Sequence, residues 1–269
     1  MRIGVIGVGA MGEAIVGSVL RAKIAAPQEI TVADQAAARL EHLGETYGVA
    51  ATGENREAAA GADLLILALH PHDFDDAAKE LSGQLAEATT VISIMAGVTL
   101  QRLCRGLATR RVVRAMPNTP AQIGEGMTVW TATPEVSDAG REGAGAVFGA
   151  LGKEAYVPEE RYLDMATGLS GSGPAYVFLF IEALADAGVH IGLSRELAAT
   201  MALQTVLGAA RYAEATKRHP AALRNQVTSP GGTTVEALRE LEAAGFRAAV
   251  LEAVIAAYEK SKALGQETN

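Results

Sequence analysis

Six residues near the start carry the clearest chemical meaning. Gly7-Val8-Gly9-Ala10-Met11-Gly12 follows the apolar run Ile3-Gly4-Val5-Ile6 and precedes Ala14, Ile15, Val16, Val19 and Leu20, which fall at helical spacing. This is a GxGxxG turn between a strand and a helix. There the first glycine permits a tight turn, the second lets the backbone approach a pyrophosphate, and the third lets helix and strand pack closely. The chemistry is anion binding by free backbone N–H groups at the positive end of a helix. Asp34, roughly twenty residues past Gly12, ends the second predicted strand and could accept bonds from adenosine ribose hydroxyls. A carboxylate there opposes a 2′-phosphate, and no arginine follows at once, since Gln35 comes next and Arg39 lies a turn into the helix. The pattern predicts NAD(P)H binding with a lean to NADH. The alternative for Asp34 is a cap on a helix beginning at Gln35.

Three further segments have unusual composition. Met116-Pro117-Asn118-Thr119-Pro120 follows the strand ending Val112-Val113-Arg114, at a C-terminal strand end where open α/β sheets place ligands. Asn118 could present an amide to the nicotinamide or ribose, although a plain turn also uses Pro and Asn. Ser170-Gly171-Ser172-Gly173-Pro174-Ala175 reads as a small-residue loop, with Pro174 at a first helical position. It either admits cofactor or substrate closely or is a hinge. Val227-Thr228-Ser229-Pro230-Gly231-Gly232-Thr233-Thr234-Val235-Glu236 places Thr233 and Glu236 at capping-box spacing, so a helix should begin here. A small carboxylate could sit on the N–H groups of Gly232, Thr233 and Thr234, with the hydroxyls of Ser229 and Thr234 in reach.

Two textures along the chain position these groups. Arg2–Ile6, Ile30–Ala33, Asp63–Leu69, Thr89–Ile94 and Arg111–Ala115 read as strands, several with little polar alternation, which implies burial on both faces. With helices between them, the expected solution is an α/β, doubly wound, mainly parallel sheet. Met127–Thr131, a helix around Glu135–Ala150 and a short strand Glu154–Val157 complete this half. Beyond residue 160 the strand signal ends. Pro174, Ser194, Pro220, Pro230 and Gly245 divide an Ala/Leu/Glu-rich stretch into helices. The expected domains are 1–160, dinucleotide-binding, and 161–269, all helical. Helix Ala175–Val189 is apolar on more than one face and requires burial on several sides, which predicts an interlocked homodimer.

The 269 residues carry a net charge of −8 and no dense Lys/Arg run, which argues against nucleic acid as a partner. The lone Cys104 precludes an intrachain disulfide and reads as a buried small hydrophobe. Nothing before the first strand resembles an export signal, and Glu182 and Asp186 break the apolar stretch from Ala175, so a cytoplasmic protein without a membrane segment is expected.

GVGAMGEAI, ISIMAGVTL (92–100), VVRAMPNTPAQIGEGMT, LSGSGPAYVFLFIEALADAGVHIGL and VTSPGGTTVEAL together resemble the pyrroline-5-carboxylate reductase family, in order and spacing. The resemblance implies a Rossmann-type domain followed by a helical dimerisation domain, with dimers that assemble in many members into larger rings. It also implies hydride transfer from NAD(P)H to the C=N bond of 1-pyrroline-5-carboxylate, giving L-proline. By resemblance the substrate carboxylate lies on Ser229, Gly231, Gly232, Thr233 and Thr234, with Thr234 the partner of the imine. The cofactor lies on Gly7, Gly9, Ala10, Met11, Gly12, Asp34, Leu69, His70, Pro71, Ala96, Gly97 and Asn118, and no metal is required. Where the family commonly shows Lys-Pro and Asn-Arg, this chain has His70-Pro71 and Asp34-Gln35, which bears on cofactor preference. A related β-hydroxyacid or imine dehydrogenase would need a general base, for which a Lys early in the helical half is the natural candidate; none lies between Lys153 and Lys217. A non-catalytic dinucleotide sensor would not need the Ser-Pro-Gly-Gly-Thr-Thr segment.

Overall fold

The computed structural model describes residues 1–267. One eight-stranded sheet is built from β1 (Ile3–Ile6), β2 (Ile30–Ala33), β3 (Ala50–Thr52), β4 (Leu64–Leu67), β5 (Thr90–Ser93), β6 (Val112–Met116), β7 (Gly126–Ala132) and β8 (Gly152–Tyr156). Its order is β3-β2-β1-β4-β5-β6-β7-β8, parallel throughout except where β7 runs antiparallel to β6. The doubly wound, mainly parallel sheet is therefore as expected. One strand escaped the sequence reading: β3 is three residues long, on the sheet edge and largely exposed, so it lacks the apolar run that marks the others.

Strand residues alternate between two cores. Leu64 and Ile66 join Ile3, Val5, Val32, Ile92 and Phe148 on one face, whereas Leu65 and Leu67 join Ile6, Val91, Phe74 and Leu81 on the other. Both faces are buried because helices cover both: α1 (Ala10–Arg21), α2 (Ala37–Tyr47) and α6 (Asp138–Ala150) supply residues to the first core. Helices α3 (Asn55–Ala59), α4 (Phe74–Leu81) and α5 (Leu100–Leu107) supply the second. Each fully buried Leu, Ile or Phe contributes roughly 1.5–3 kcal/mol relative to exposure. Cys104 is half-buried against the second core, and burial pushes its thiol pKa up, which suits a packing residue.

The chain divides into two compact units, Met1–Ser172 with the segment from Ala256 on, and Gly173–Ile255. The texture change near residue 160 marks the end of the sheet, and the division in space falls later. Helix α7 (Arg161–Ala166) stays with the first unit because Arg114 of β6, 4% exposed, needs a counter-charge. Its Nη1 donates to Glu160 Oε1 at 2.6 Å, and Asp164 lies 3.9 Å from Nη2. Glu160 also accepts from the Leu100 N–H, and Asp164 accepts from the Ser261 hydroxyl at 2.7 Å, which ties the C-terminal segment to the sheet. A buried charge stripped of such partners is strongly destabilising.

The second unit is helical: α8 (Gly173–His190), α9 (Arg195–Thr216), α10 (Pro220–Gln226), α11 (Thr233–Ala243) and the start of α12 (Phe246–Glu267). Ser194 caps α9 by accepting from the Leu197 N–H, and Pro220 opens α10. The expected Ser170–Ala175 loop is instead helical. Thr167–Gly171 forms a π-type turn leading into α8, the widened turn that accommodates a proline inside a helical run. Within one chain α8 buries only Ala185, leaving Phe178 61% and Leu179 67% exposed, so the burial its composition demands is not met inside the chain. By length and composition alone Arg161–His190 is also long and apolar enough to cross a bilayer, so Glu182 and Asp186 do not exclude this as expected.

Trp130, the sole tryptophan, packs against Phe148 with ring centroids 5.7 Å apart. Phe148→Ala is expected to destabilise the first unit by about 3–5 kcal/mol. A lower denaturation midpoint read by Trp130 fluorescence checks this.

Candidate active site

In the first unit, the order of the strands reverses between β1 and β4, and the ligand crevice of an open α/β sheet belongs at that point. A cleft of about 370 Å³ lies there. Gly7, Gly9, Asp34, Leu69 and His70 line it, joined by Gln35, Arg39, Gly53 and Asn55, which the sequence reading did not assign to the cofactor. Gly53 and Asn55 were missed because they follow the missed strand β3.

Each glycine of the loop has a distinct physical reason. Gly7 has φ +88°, a conformation other residues rarely adopt, and its N–H bonds Ala33 O at 2.9 Å. A Cβ on Gly12 would run into the Gly7 carbonyl oxygen, so α1 approaches β1 closely only without one. A Cβ on Gly9 would meet nothing within 4 Å. Gly9 thus faces open space, the cradle a pyrophosphate would fill. Gly9 is the N-cap of α1 without a side-chain cap, and the first helical bond runs from Glu13 N to Gly9 O. The N–H groups of Ala10, Met11 and Gly12 therefore have no intrahelical carbonyl and are placed for an anion. The site fits a dinucleotide.

Asp34 is not the cap of a helix at Gln35, because α2 begins at Ala37. Its carboxylate accepts from the Val8 N–H at 2.8 Å and the Ala36 N–H at 2.9 Å, fixing the glycine loop against the end of β2. Arg39 reaches the same loop: Nε and Nη2 donate to Val8 O at 2.9 and 2.6 Å, and Nη2 pairs with Glu13 at 2.5 Å. The Arg39 bond to Glu13, and a second from His42, hold the Glu13 carboxyl below the usual carboxylate range despite burial.

The remaining expected cofactor residues sit at strand ends. Pro71 follows His70 beyond β4, and His70 stacks on His72 with centroids 5.5 Å apart. Ala96 and Gly97 follow β5, with Gly97 at φ +73° and Leu264 packed so close that a Cβ on Gly97 would lie 3.0 Å from its Cβ. Asn118 also has partners within the protein. Its amide donates to Ser170 O at 3.0 Å and its oxygen accepts from the Met127 N–H at 2.9 Å, so it braces its own loop. The Ser170 carbonyl needs that donor because Pro174, four residues on, has no N–H.

In the second unit, Ser229-Pro230-Gly231-Gly232 forms a tight turn: Gly232 N donates to Ser229 O at 3.0 Å and Gly231 has φ +69°, the type II pattern of Pro then Gly. Gly232 is the N-cap of α11 and Thr233 its first residue, so Thr233 does not cap and the capping box does not form; Glu236 pairs with Arg239 instead. The expected trio of N–H donors is reduced accordingly, since Gly232 spends its own on the turn while Thr233 and Thr234 keep theirs. A Cβ on Gly232 would lie 2.5 Å from Ser229 Oγ, so that hydroxyl sits over the helix start only because residue 232 is glycine.

A glycine loop opening on a switch-point cleft, followed by a helical unit with an apolar face, defines a nicotinamide-dinucleotide oxidoreductase with a helical dimerisation domain. Residues 160–264 match the family described as pyrroline-5-carboxylate reductase dimerisation, and residues 2–97 that described as NADP oxidoreductase, coenzyme F420-dependent. The chain is 46% identical over 267 residues to a pyrroline-5-carboxylate reductase of Synechocystis, covering 99% of each, and 41% identical to that of Escherichia coli K12, covering 98% of each. Among solved structures, the Plasmodium falciparum pyrroline carboxylate reductase with NADP bound has a TM-score of 0.89 at 31% identity, and the Coxiella burnetii enzyme 0.89 at 37%, each covering 98% of both chains. The chain belongs to the pyrroline-5-carboxylate reductase family.

The glycines separate binding from folding. Gly9→Ala is expected to keep the thermal midpoint while weakening NAD(P)H binding by about tenfold or more, since its methyl occupies pyrophosphate space. Gly12→Ala should instead lower stability by about 1–3 kcal/mol through overpacking. Calorimetric titration and thermal melts of both variants check the contrast.

Proposed function

We propose that this chain reduces 1-pyrroline-5-carboxylate to L-proline with NAD(P)H, the last step of proline biosynthesis. The observation that carries the reading is end-to-end similarity to reductases of that name, at up to 46% identity with 99% coverage among the relatives cited. We assign dinucleotide binding to 1–160 and the substrate and dimer contacts to 161–269.

In this reading the substrate carboxylate is held by the N–H groups of Thr233 and Thr234 and the Ser229 hydroxyl, at the positive end of α11. Gly231 and Gly232 hold the turn that brings Ser229 there. An imine carbon becomes electrophilic when its nitrogen is protonated or strongly hydrogen-bonded. The Thr234 hydroxyl supplies and orients that bond; it is too weak an acid to give up a proton, which comes from water or arrives with the iminium form. NAD(P)H, when bound, supplies the hydride. Gly7, Gly9, Ala10, Met11 and Gly12 hold its pyrophosphate, Asp34 its adenosine ribose, and Leu69, His70, Pro71, Ala96 and Gly97 border its path along the strand ends. Asn118 retains one amide hydrogen for it. The Asp34 carboxylate beside the ribose supports NADH as the preferred form.

The exposed apolar face of α8 supports a homodimer through the helical unit, a larger ring of dimers resting on the family resemblance alone, and the lone Cys104 supports a cytoplasmic setting. Light scattering is expected to give twice the chain mass or a higher multiple; a monomeric mass would overturn the dimer.

Loss of reduced-nicotinamide absorbance with DL-pyrroline-5-carboxylate tests the reaction. Thr234→Ala is expected to lower kcat/KM by about 10²–10³, the scale for one preorganised contact to a transition state. An effect under about twofold would remove Thr234 from the mechanism.

A further inference from the structure

We infer that Glu13 sets the cofactor preference of this enzyme by neutralising Arg39, the one Lys or Arg among the described residues lining the dinucleotide cleft. The inference deepens the NADH reading above and rests on it. An arginine beside the end of the second strand is the group that accommodates a 2′-phosphate in dinucleotide folds. Arg39 stands in that place, lining the cleft with Asp34 and Gln35, and is 36% exposed. Its charge is nonetheless committed elsewhere. Nη2 contacts Glu13 Oε2 at 2.5 Å while Nε and Nη2 both bond Val8 O.

The carboxylate that holds it is itself fixed. The other oxygen of Glu13 faces His42 Nε2 at 2.9 Å and receives the Tyr47 hydroxyl at 3.4 Å. Arg39, His42 and Tyr47 all belong to α2 and converge on this one residue of α1. A phosphate adds about two negative charges. Here it would meet Asp34, in a cleft also lined by Asp73, Asp76 and Glu80, and a guanidinium already in contact with an acid, so the cleft offers it no net positive charge. NADH adds no charge at that position and meets no such opposition. The Glu13–Arg39 pair is only partly buried, so its loss costs little stability, while its effect on the cleft reaches as far as charges act in physiological salt, about 8 Å.

The test is steady-state kinetics with NADH and NADPH on the full-length enzyme. Glu13→Gln keeps the shape and removes the charge. It is expected to raise the NADPH:NADH ratio of kcat/KM by about tenfold, through a lower KM for NADPH. Adding Arg39→Gln should return the ratio to within about twofold of wild type. A merely structural role would move both cofactors alike and leave the ratio unchanged, and an unchanged ratio in Glu13→Gln overturns the inference. Should that variant not fold, Arg39→Gln alone decides. Loss of the Arg39 bond to the Val8 carbonyl acts on both cofactors alike, so the ratio is the readout: a neutralised arginine predicts a change under about twofold in the NADPH:NADH ratio of kcat/KM, whereas a tenfold fall in that ratio would show Arg39 already serving the phosphate and would overturn the inference. The wild-type ratio judges the NADH reading separately: an enzyme that prefers NADPH but shifts further in Glu13→Gln refutes that reading and keeps the role of Glu13.

Discussion

The close approach of α1 to β1 is the constraint on which the first unit depends. It requires a residue without a Cβ at position 12, where any side chain would collide with the Gly7 carbonyl, and a residue free to take φ +88° at position 7. Once both are met, α1 starts at Gly9, which lines the crevice, and the N–H groups of Ala10, Met11 and Gly12 are left without helical partners there. The surrounding structure holds that turn from below and beside: Asp34 grips the Val8 N–H and Arg39 the Val8 carbonyl. The anion site is thus a consequence of backbone packing, with side chains in a supporting role.

The same solution recurs in the helical unit. A glycine at 232 lets the Ser229 hydroxyl lie over the start of α11, and Gly231 at φ +69° makes the turn. Two anions, the cofactor pyrophosphate and the substrate carboxylate, are in this reading bound by helix starts, where neutral N–H groups hold them without buried cations. Such sites avoid the desolvation cost of burying a Lys or Arg. In the same reading the imine is left to a hydroxyl, which orients without titrating in the working range.

Buried charge is used in the first unit for a different purpose. Arg114 lies within the sheet and is paired with Glu160 and Asp164, and through Asp164 linked to Ser261. This places α7 and the end of the chain with the first unit although their composition resembles the helical half. A boundary judged from texture therefore lies near residue 160, while the spatial division falls after Ser172 and returns at Ala256.

What the sequence determined by itself was whatever rests on local rules: the glycine loop, the strand runs buried on both faces, the order of strands and helices, and the start of α11. Each follows from backbone sterics or from period-two and helical patterning that neighbouring residues carry. Tertiary structure decided the rest. The edge strand Ala50–Thr52 has too little apolar signal and exists because β2 offers it hydrogen-bonding partners. Asn118 was legible as a polar loop residue, but only the fold could bring its amide to Ser170, 52 residues away, and its oxygen to the Met127 N–H. Thr233 has the spacing of a cap, yet the turn closed by Gly232 takes that place. Arg39 and Glu13, 26 residues apart, meet only because α1 and α2 pack side by side on one face of the sheet. Contacts of that kind depend on which elements become neighbours, and no local pattern encodes them.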